Sequence, residues 1–170
     1  MKVVRFGTKE LFQLTVKIVY PIDPKWVFGN LIFEIKNQQI GDWNDLVSVK
    51  ACYNWMNDFL EYKIERKEPL IETNMTAVFE YLYNSIFKNF ENAKKLYYSK
   101  YSIAHLGMSS FNDFSVFLIE TDLYQRVIWK NQPEYGINEV FFPPYTLQQV
   151  IKEFCIWFTH NYVQNEQNLF

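Results

Sequence analysis

The chain is poor in residues on which common chemistries depend. Its 170 residues include 2 cysteines, 2 histidines and 5 glycines. So few glycines suit a glycine-cradled nucleotide site badly, and no GxGxxG, P-loop or GxSxG pattern occurs. Metal-ligand spacings are missing too: there is no HExxH, no CxxC and no paired histidine. Neither sign of charge dominates. Lys plus Arg number 17 against 19 Asp plus Glu, a net charge of -2, so no strong field favours nucleic acid or an anionic membrane. No segment approaches the roughly 20 apolar residues that a membrane-spanning helix needs. The start MKVVRFGTKELFQLTVK carries Lys2, Arg5, Lys9 and Glu10, which leave no apolar signal core. Repeats, low-complexity tracts and long linkers are absent as well. The best loop candidate, 65–74 around Pro69, is too short to separate a pair of domains, so a single domain over 1–170 is expected.

What is abundant is apolar and aromatic surface. Apolar residues make up 49% of the chain, which argues against disorder. Aromatics alone make up 19%, as 16 Phe, 12 Tyr and 5 Trp. A chain of this size buries roughly two-thirds of its unfolded surface and needs no metal or disulfide staple. Cys52 and Cys155 each fall in an apolar helical pattern and read as buried free thiols. Reduced thiols and the missing signal core point to the cytoplasm.

The hydrophobic period then sets the elements. Phe12, Leu14, Val16, Ile18 and Tyr20 alternate with Gln13, Thr15 and Lys17, a strand with one buried face that Pro21 and Pro24 are expected to end. Trp26 to Lys36 is a second strand, with Leu31, Phe33 and Ile35 inward and Glu34 and Lys36 outward; a turn at Asn37-Gln38 leads to a short return at Gln39-Ile40. Ser48 caps a helix to about Tyr62, with Cys52, Trp55, Met56, Phe59 and Leu60 at three-four spacing. A second helix runs from Thr73 or Asn74 to about Phe90 on a Phe79, Leu82, Ile86, Phe90 stripe, and Asn92 to Tyr98 extends it or forms a separate turn. Ser102 to Ser109 alternates weakly. Phe114 to Glu120 and Tyr124 to Trp129 pair across Thr121-Asp122-Leu123, and Asn138 to Phe142 is a last strand. A final helix starts at Thr146, with Gln149 completing a capping box, and the tail from Asn161 frays. The expected fold is α+β: a mostly antiparallel sheet of about 5–7 strands packed with about three helices.

An enzyme needs convergent reactive groups. His105, in a candidate strand, and His160, near the end of the last helix, are the available imidazoles, and one of them would have to meet a carboxylate in a concave pocket. Surface or half-buried histidines are the simpler reading, and no catalytic, cofactor or metal set emerges. The run Gly41-Asp42-Trp43-Asn44-Asp45 is oxygen-rich but lacks the length and terminal glutamate of an EF-hand. It reads as a turn with solvated carboxylates or as a partner-binding loop around Trp43. Asp113, Glu120 and Asp122 surround the Phe114 hairpin and read as polar strand ends or as a second acidic patch. Lys94, Lys95 and Lys100 interleave with Tyr97, Tyr98 and Tyr101, a pattern that stacks on single strands in other proteins. The cluster is small, and direct nucleic-acid binding is not expected.

One stretch resembles a known family. Gly29-Asn30-Leu31-Ile32-Phe33-Glu34-Ile35, then Asn37-Gln38-Gln39-Ile40-Gly41-Asp42, then an acidic loop and a helix from Ser48, resembles the immunity proteins of bacterial polymorphic toxin systems, and among them the immunity protein 42 family. The resemblance is best over Trp26 to Leu60 and extends to Tyr124–Trp129 and the Phe142-Pro143-Pro144 helix start. It implies a cytoplasmic, non-enzymatic inhibitor, without cofactor, that binds the C-terminal domain of one cognate toxin. Contact-dependent inhibition systems and type VI effectors are typical settings, and an immunity gene normally follows its toxin gene. A nuclease is one candidate toxin, since carboxylates would steer toward a cationic substrate groove while aromatics anchor the contact. Asp42, Trp43 and Asp45 are then the first partner-binding candidates, and Asp113, Glu120 and Asp122 the next. A non-catalytic binding or structural subunit of a larger assembly is the rival reading.

Overall fold

The computed structural model describes residues 3–23, 26–61, 66–67, 74–88, 92–103, 109–131 and 136–163. The chain divides into two compact units: Met1–Lys63 with Leu106–Phe111 and Thr146–Phe170, and Ile64–His105 with Asn112–Tyr145.

In the first unit, β1 (Val3–Gly7), β2 (Phe12–Asp23), β3 (Trp26–Ile35) and β4 (Gln38–Ile40) pair antiparallel in chain order, and β5 (Val47–Ser48) pairs with β3. The period-two pattern decides the faces. Phe12, Leu14, Val16, Leu31, Phe33 and Ile35 lie on one face and are essentially inaccessible. Helix α1 (Val49–Glu61) packs on β3, and α4 (Thr146–Phe158) packs on β1 and β2. Each helix carries a three-four stripe that supplies the facing surface: Val49, Cys52, Met56 and Phe59 on α1, and Leu147, Val150, Ile151, Phe154 and Phe158 on α4. Ser48 does cap α1, its Oγ accepting the Ala51 N–H at 3.3 Å. Two expectations shift. Strand β2 continues through Pro21 to Asp23: among the described residues β1 pairs no further than Lys17, and Pro21 pairs on the β3 side with Val27. The β3–β4 turn is Lys36-Asn37, both at positive φ (50° and 64°), one residue earlier than the polar run suggested. Pro24, Tyr62 and the tail beyond Val163 lie outside the described residues.

The second unit holds β6 (Phe114–Glu120), β7 (Gln125–Asn131) and β8 (Asn138–Phe142), an antiparallel three-stranded sheet in chain order. Helix α2 (Met75–Tyr83) is capped by Asn74, whose Oδ1 accepts the Thr76 N–H at 2.9 Å; it runs on into a wide turn at Asn84–Lys88. Its Val78, Phe79 and Leu82, with Ile86, form a core with Tyr101, Phe117, Ile119 and Ile128. Helix α3 (Asn92–Ser99) is a separate element. Of the weak strand expected over 102–109, residues 104–108 lie outside the described set, as does Phe90; Ser102 bridges to Phe117 in this unit, and Ser109–Phe111, which belongs to the first unit, forms a tight helical turn. The α+β class is as expected, with the strands shared between two antiparallel sheets. Local hairpins explain the division: β6, β7 and β8 satisfy one another's backbone groups without recruiting a strand from the first sheet.

Cys52 and Cys155 are free and buried. Cys52 donates its thiol to the Ser48 carbonyl oxygen at 3.0 Å. Burial pushes the Cys155 thiol up from its ordinary 9.0 to about 12. A folded state that holds this proton after the unfolded chain has lost it becomes less stable as pH climbs from about 9 toward 12. At pH 8 the native Cys155 thiolate is scarcer by about a thousandfold than an ordinary thiol's. Iodoacetamide labelling followed by mass spectrometry is expected to leave Cys155 unmodified in the native chain and to modify it fully in urea; equal rates would contradict this burial.

Candidate functional site

The residues of the Gly29-to-Asp42 stretch build the scaffold of the acidic loop. Gly29 lies where β3 approaches β2 closely: a Cβ there would stand 2.2 Å from the Lys17 carbonyl oxygen and 3.1 Å from Val49 Cγ2. Asn30 donates from Nδ2 to the Asp45 carbonyl oxygen at 3.1 Å, tying the far end of the loop to the sheet. Gly41 takes φ +106°, with Phe111 and Ile32 within 3.4 Å of where a side chain would begin. Its carbonyl accepts from Gln39 Nε2 at 2.9 Å. The next N–H, that of Asp42, donates to the Ser110 carbonyl at 2.7 Å. Asp42 Oδ1 then accepts both the backbone N–H (2.8 Å) and the side-chain Nδ2 (3.2 Å) of Asn44, an Asx turn that sets the loop's shape. The outcome is a fixed loop with Asp42 exposed and Trp43 and Asp45 half-buried. Trp43 is therefore not a core residue.

Trp43 also lines an open groove of about 730 Å³ on the sheet face opposite α1 and α4. Two cross-strand rows floor it: Arg5, Thr15 and Ile32 across β1 to β3, and Gly7, Gln13, Glu34 and Gln39 across β1 to β4. The Thr15 hydroxyl donates to Glu34 Oε2 at 2.9 Å, and Gln13 Nε2 donates to the Gly7 carbonyl at 3.2 Å. Gln13 and Thr15 are only 8% and 4% exposed. They alternate with the core residues and read in sequence as an ordinary solvent face. The sequence signal that was available is the coincidence of polar residues at paired positions on adjacent strands.

The later carboxylates do not form one cluster. Asp113 precedes β6 and Glu120 ends it, so the length of the strand, about 20 Å, lies between them. Glu120 is held internally: Oε2 accepts from Arg66 Nη1 at 2.6 Å and Oε1 from Gln125 Nε2 at 2.7 Å. Asp122 is exposed at the β6–β7 turn, with Lys67 Nζ at 3.1 Å, and its neighbour Leu123 is 80% exposed. Asp113 is exposed.

His105 lies outside the described residues, and His160 is exposed in the turn that follows α4. It borders a shallow cavity of about 490 Å³ with Lys152, Cys155 and Asn57, and among the described residues no carboxylate lines that cavity. Among the described residues no group of three or more His, Cys, Asp or Glu is placed to hold a metal ion, and no helix is long and apolar enough to cross a membrane. The tyrosines beside Lys100 pack on one another. Tyr101 is fully buried, Lys100 Nζ sits 4.0 Å from the centre of the Tyr97 ring, and the Tyr98 and Tyr81 hydroxyls are hydrogen-bonded to each other.

A solved structure has this fold. CdiI from Burkholderia dolosa AUO158 matches with a TM-score of 0.71 at 14% sequence identity, covering 91% of this chain and 99% of that chain. No curated protein sequence matches significantly. The model of the immunity protein 42 family matches residues 1–157, and the chain belongs to that family.

Proposed function

We propose that the chain is a non-catalytic inhibitor that binds the C-terminal toxic domain of one cognate bacterial toxin and neutralises it by covering its active or substrate-binding surface. It acts in the cytoplasm of the producing cell, in a contact-dependent inhibition setting, and a nuclease is the first toxin activity to assay. The observation that carries this reading is membership of an immunity protein family over residues 1–157. The rigid loop presenting Asp42, Trp43 and Asp45 supports a docking surface in the first unit. Asp122 with Leu123 forms a second contact at the β6–β7 turn, and Asp113 adds charge at the other end of β6. Glu120 serves by holding that hairpin in place through Arg66.

Co-expression with the reading frame immediately upstream tests the proposal. Growth arrest by the upstream product, rescue by this chain and co-purification of the two are expected. A harmless upstream product, or a toxic one that is neither rescued nor bound, replaces this reading with that of a structural subunit. With the pair in hand, Asp42→Asn combined with Asp45→Asn is expected to slow association by about 3- to 10-fold and to flatten its salt dependence while leaving dissociation nearly unchanged. Asparagine keeps the acceptor oxygen that the Asn44 turn requires, so the loop stays formed. Stopped-flow association at two ionic strengths decides.

A further inference from the structure

The groove floor carries a carboxylate, that of Glu34. Glu34 is half-buried there, and its hydrogen-bond partner is a neutral hydroxyl, that of Thr15 at 2.9 Å. No ion pair involves Glu34 among the described residues. Water reaches this carboxylate through the open side of the groove. A partner that closes the groove removes that water, and the desolvated charge then opposes binding unless the partner brings a cation. Trp43 lines the same groove and offers an indole surface that is neither fully buried nor freely exposed. Carboxylate and aromatic face together suit a guanidinium or an ammonium on an alkyl stem, through a charge-assisted hydrogen bond on one side and cation–π packing on the other. The rest of the lining selects against a strongly basic segment, since Arg5 and Lys9 border the groove along with Glu10.

We propose that this groove receives a single arginine or lysine side chain from the docking segment of the cognate toxin, its cation paired with Glu34 and its stem or guanidinium plane laid on Trp43. The proposal rests on the inhibitor reading and adds to it the chemistry of the partner residue. Specificity follows from the same contact, because a related toxin lacking the cation leaves Glu34 desolvated and unpaired.

The test uses the full chain and a catalytically inactivated form of the upstream-encoded toxin domain, with affinity read by calorimetry. Glu34→Gln keeps the shape and the acceptor for Thr15 but loses the charge. It is expected to weaken binding by about 30-fold or more while leaving the thermal melting point within a degree or two of wild type. Trp43→Ala is expected to weaken binding to a similar extent. Glu34→Lys is expected to abolish growth protection, and exchange of one toxin arginine or lysine for glutamate is expected to restore it. Wild-type affinity in Glu34→Gln overturns the proposal and leaves the inhibitor reading standing. Failure of the wild-type chain to bind the toxin at all overturns both. Light scattering that shows a dimer lost on Glu34→Gln overturns it in favour of a second copy of this chain as the occupant.

Discussion

Phe33→Ala is expected to lower the unfolding free energy by about 3–5 kcal/mol, the range for removing a buried aromatic ring. Phe33 is 1% exposed and sits between two other rings, with Phe12 at 5.3 Å and Phe111 at 4.9 Å between centroids. Deleting it opens a cavity that neither neighbour fills without leaving its own site. Phe12 is anchored on β2, and Phe111 belongs to the tight turn whose Ser110 carbonyl accepts the Asp42 N–H. The effect therefore reaches the acidic loop. Besides the shift in the urea midpoint, hydrogen exchange at the Asp42 amide is expected to speed up much more than at Ala51, which Ser48 protects independently. Phe33→Leu, which keeps most of the volume, is expected to cost less than half as much. A loss below about 1 kcal/mol for the alanine variant would show that this region of the core collapses freely, contrary to the packing described.

A loss of similar size is expected for Arg66→Ala, about 3–5 kcal/mol, by a different mechanism. The Arg66 side chain is 6% exposed and its partner's 19%. The guanidinium's bonds include one from Nη1 to Glu120 Oε2 at 2.6 Å and one from Nε to the Lys100 carbonyl at 2.8 Å. Removing it takes the Nη1 cation from a poorly solvated carboxylate that also accepts from the Gln125 amide on Oε1, and takes the Nε donor from the Lys100 carbonyl. Glu120→Gln in the Arg66→Ala background is expected to recover some of the loss, since the amide carries no charge to desolvate. The interaction free energy from this cycle is the quantity to measure. By contrast, the exposed Lys67–Asp122 pair, at 53% and 87% exposure, is expected to contribute under about 1 kcal/mol. If Arg66→Ala costs no more than breaking that surface pair, the buried bridge has no structural role.

Most of the elements were legible because they rest on local periodicity. Alternation over Phe12–Tyr20, the three-four stripes of Val49–Glu61 and Thr146–Phe158, and the hairpin around Thr121-Asp122-Leu123 each arise from residues a few positions apart. Errors cluster where a distant partner decides. Pro21 stays in its strand, paired with Val27 of β3. Ser109 closes a tight turn rather than a strand, and that turn lies against Gly41 and Phe33, more than sixty residues earlier.

The same division holds for function. By itself the sequence determined that the chain is α+β, rich in buried aromatics and free of the common cofactor fingerprints. The Gly29-to-Asp42 stretch resembled an immunity family, whose model matches residues 1–157; its glycine and asparagine serve a close strand approach and a pinned loop. Only the tertiary structure decided which carboxylates are exposed and which are paired. Glu120 is consumed by Arg66, Asp42 and Asp122 face solvent, and Glu34, which the alternation pattern marks as one more outward polar residue, lies in a groove beside Trp43. The physical reason is that burial and charge pairing depend on cross-strand register and on what covers each face, and neither is encoded within a few residues of the side chain concerned.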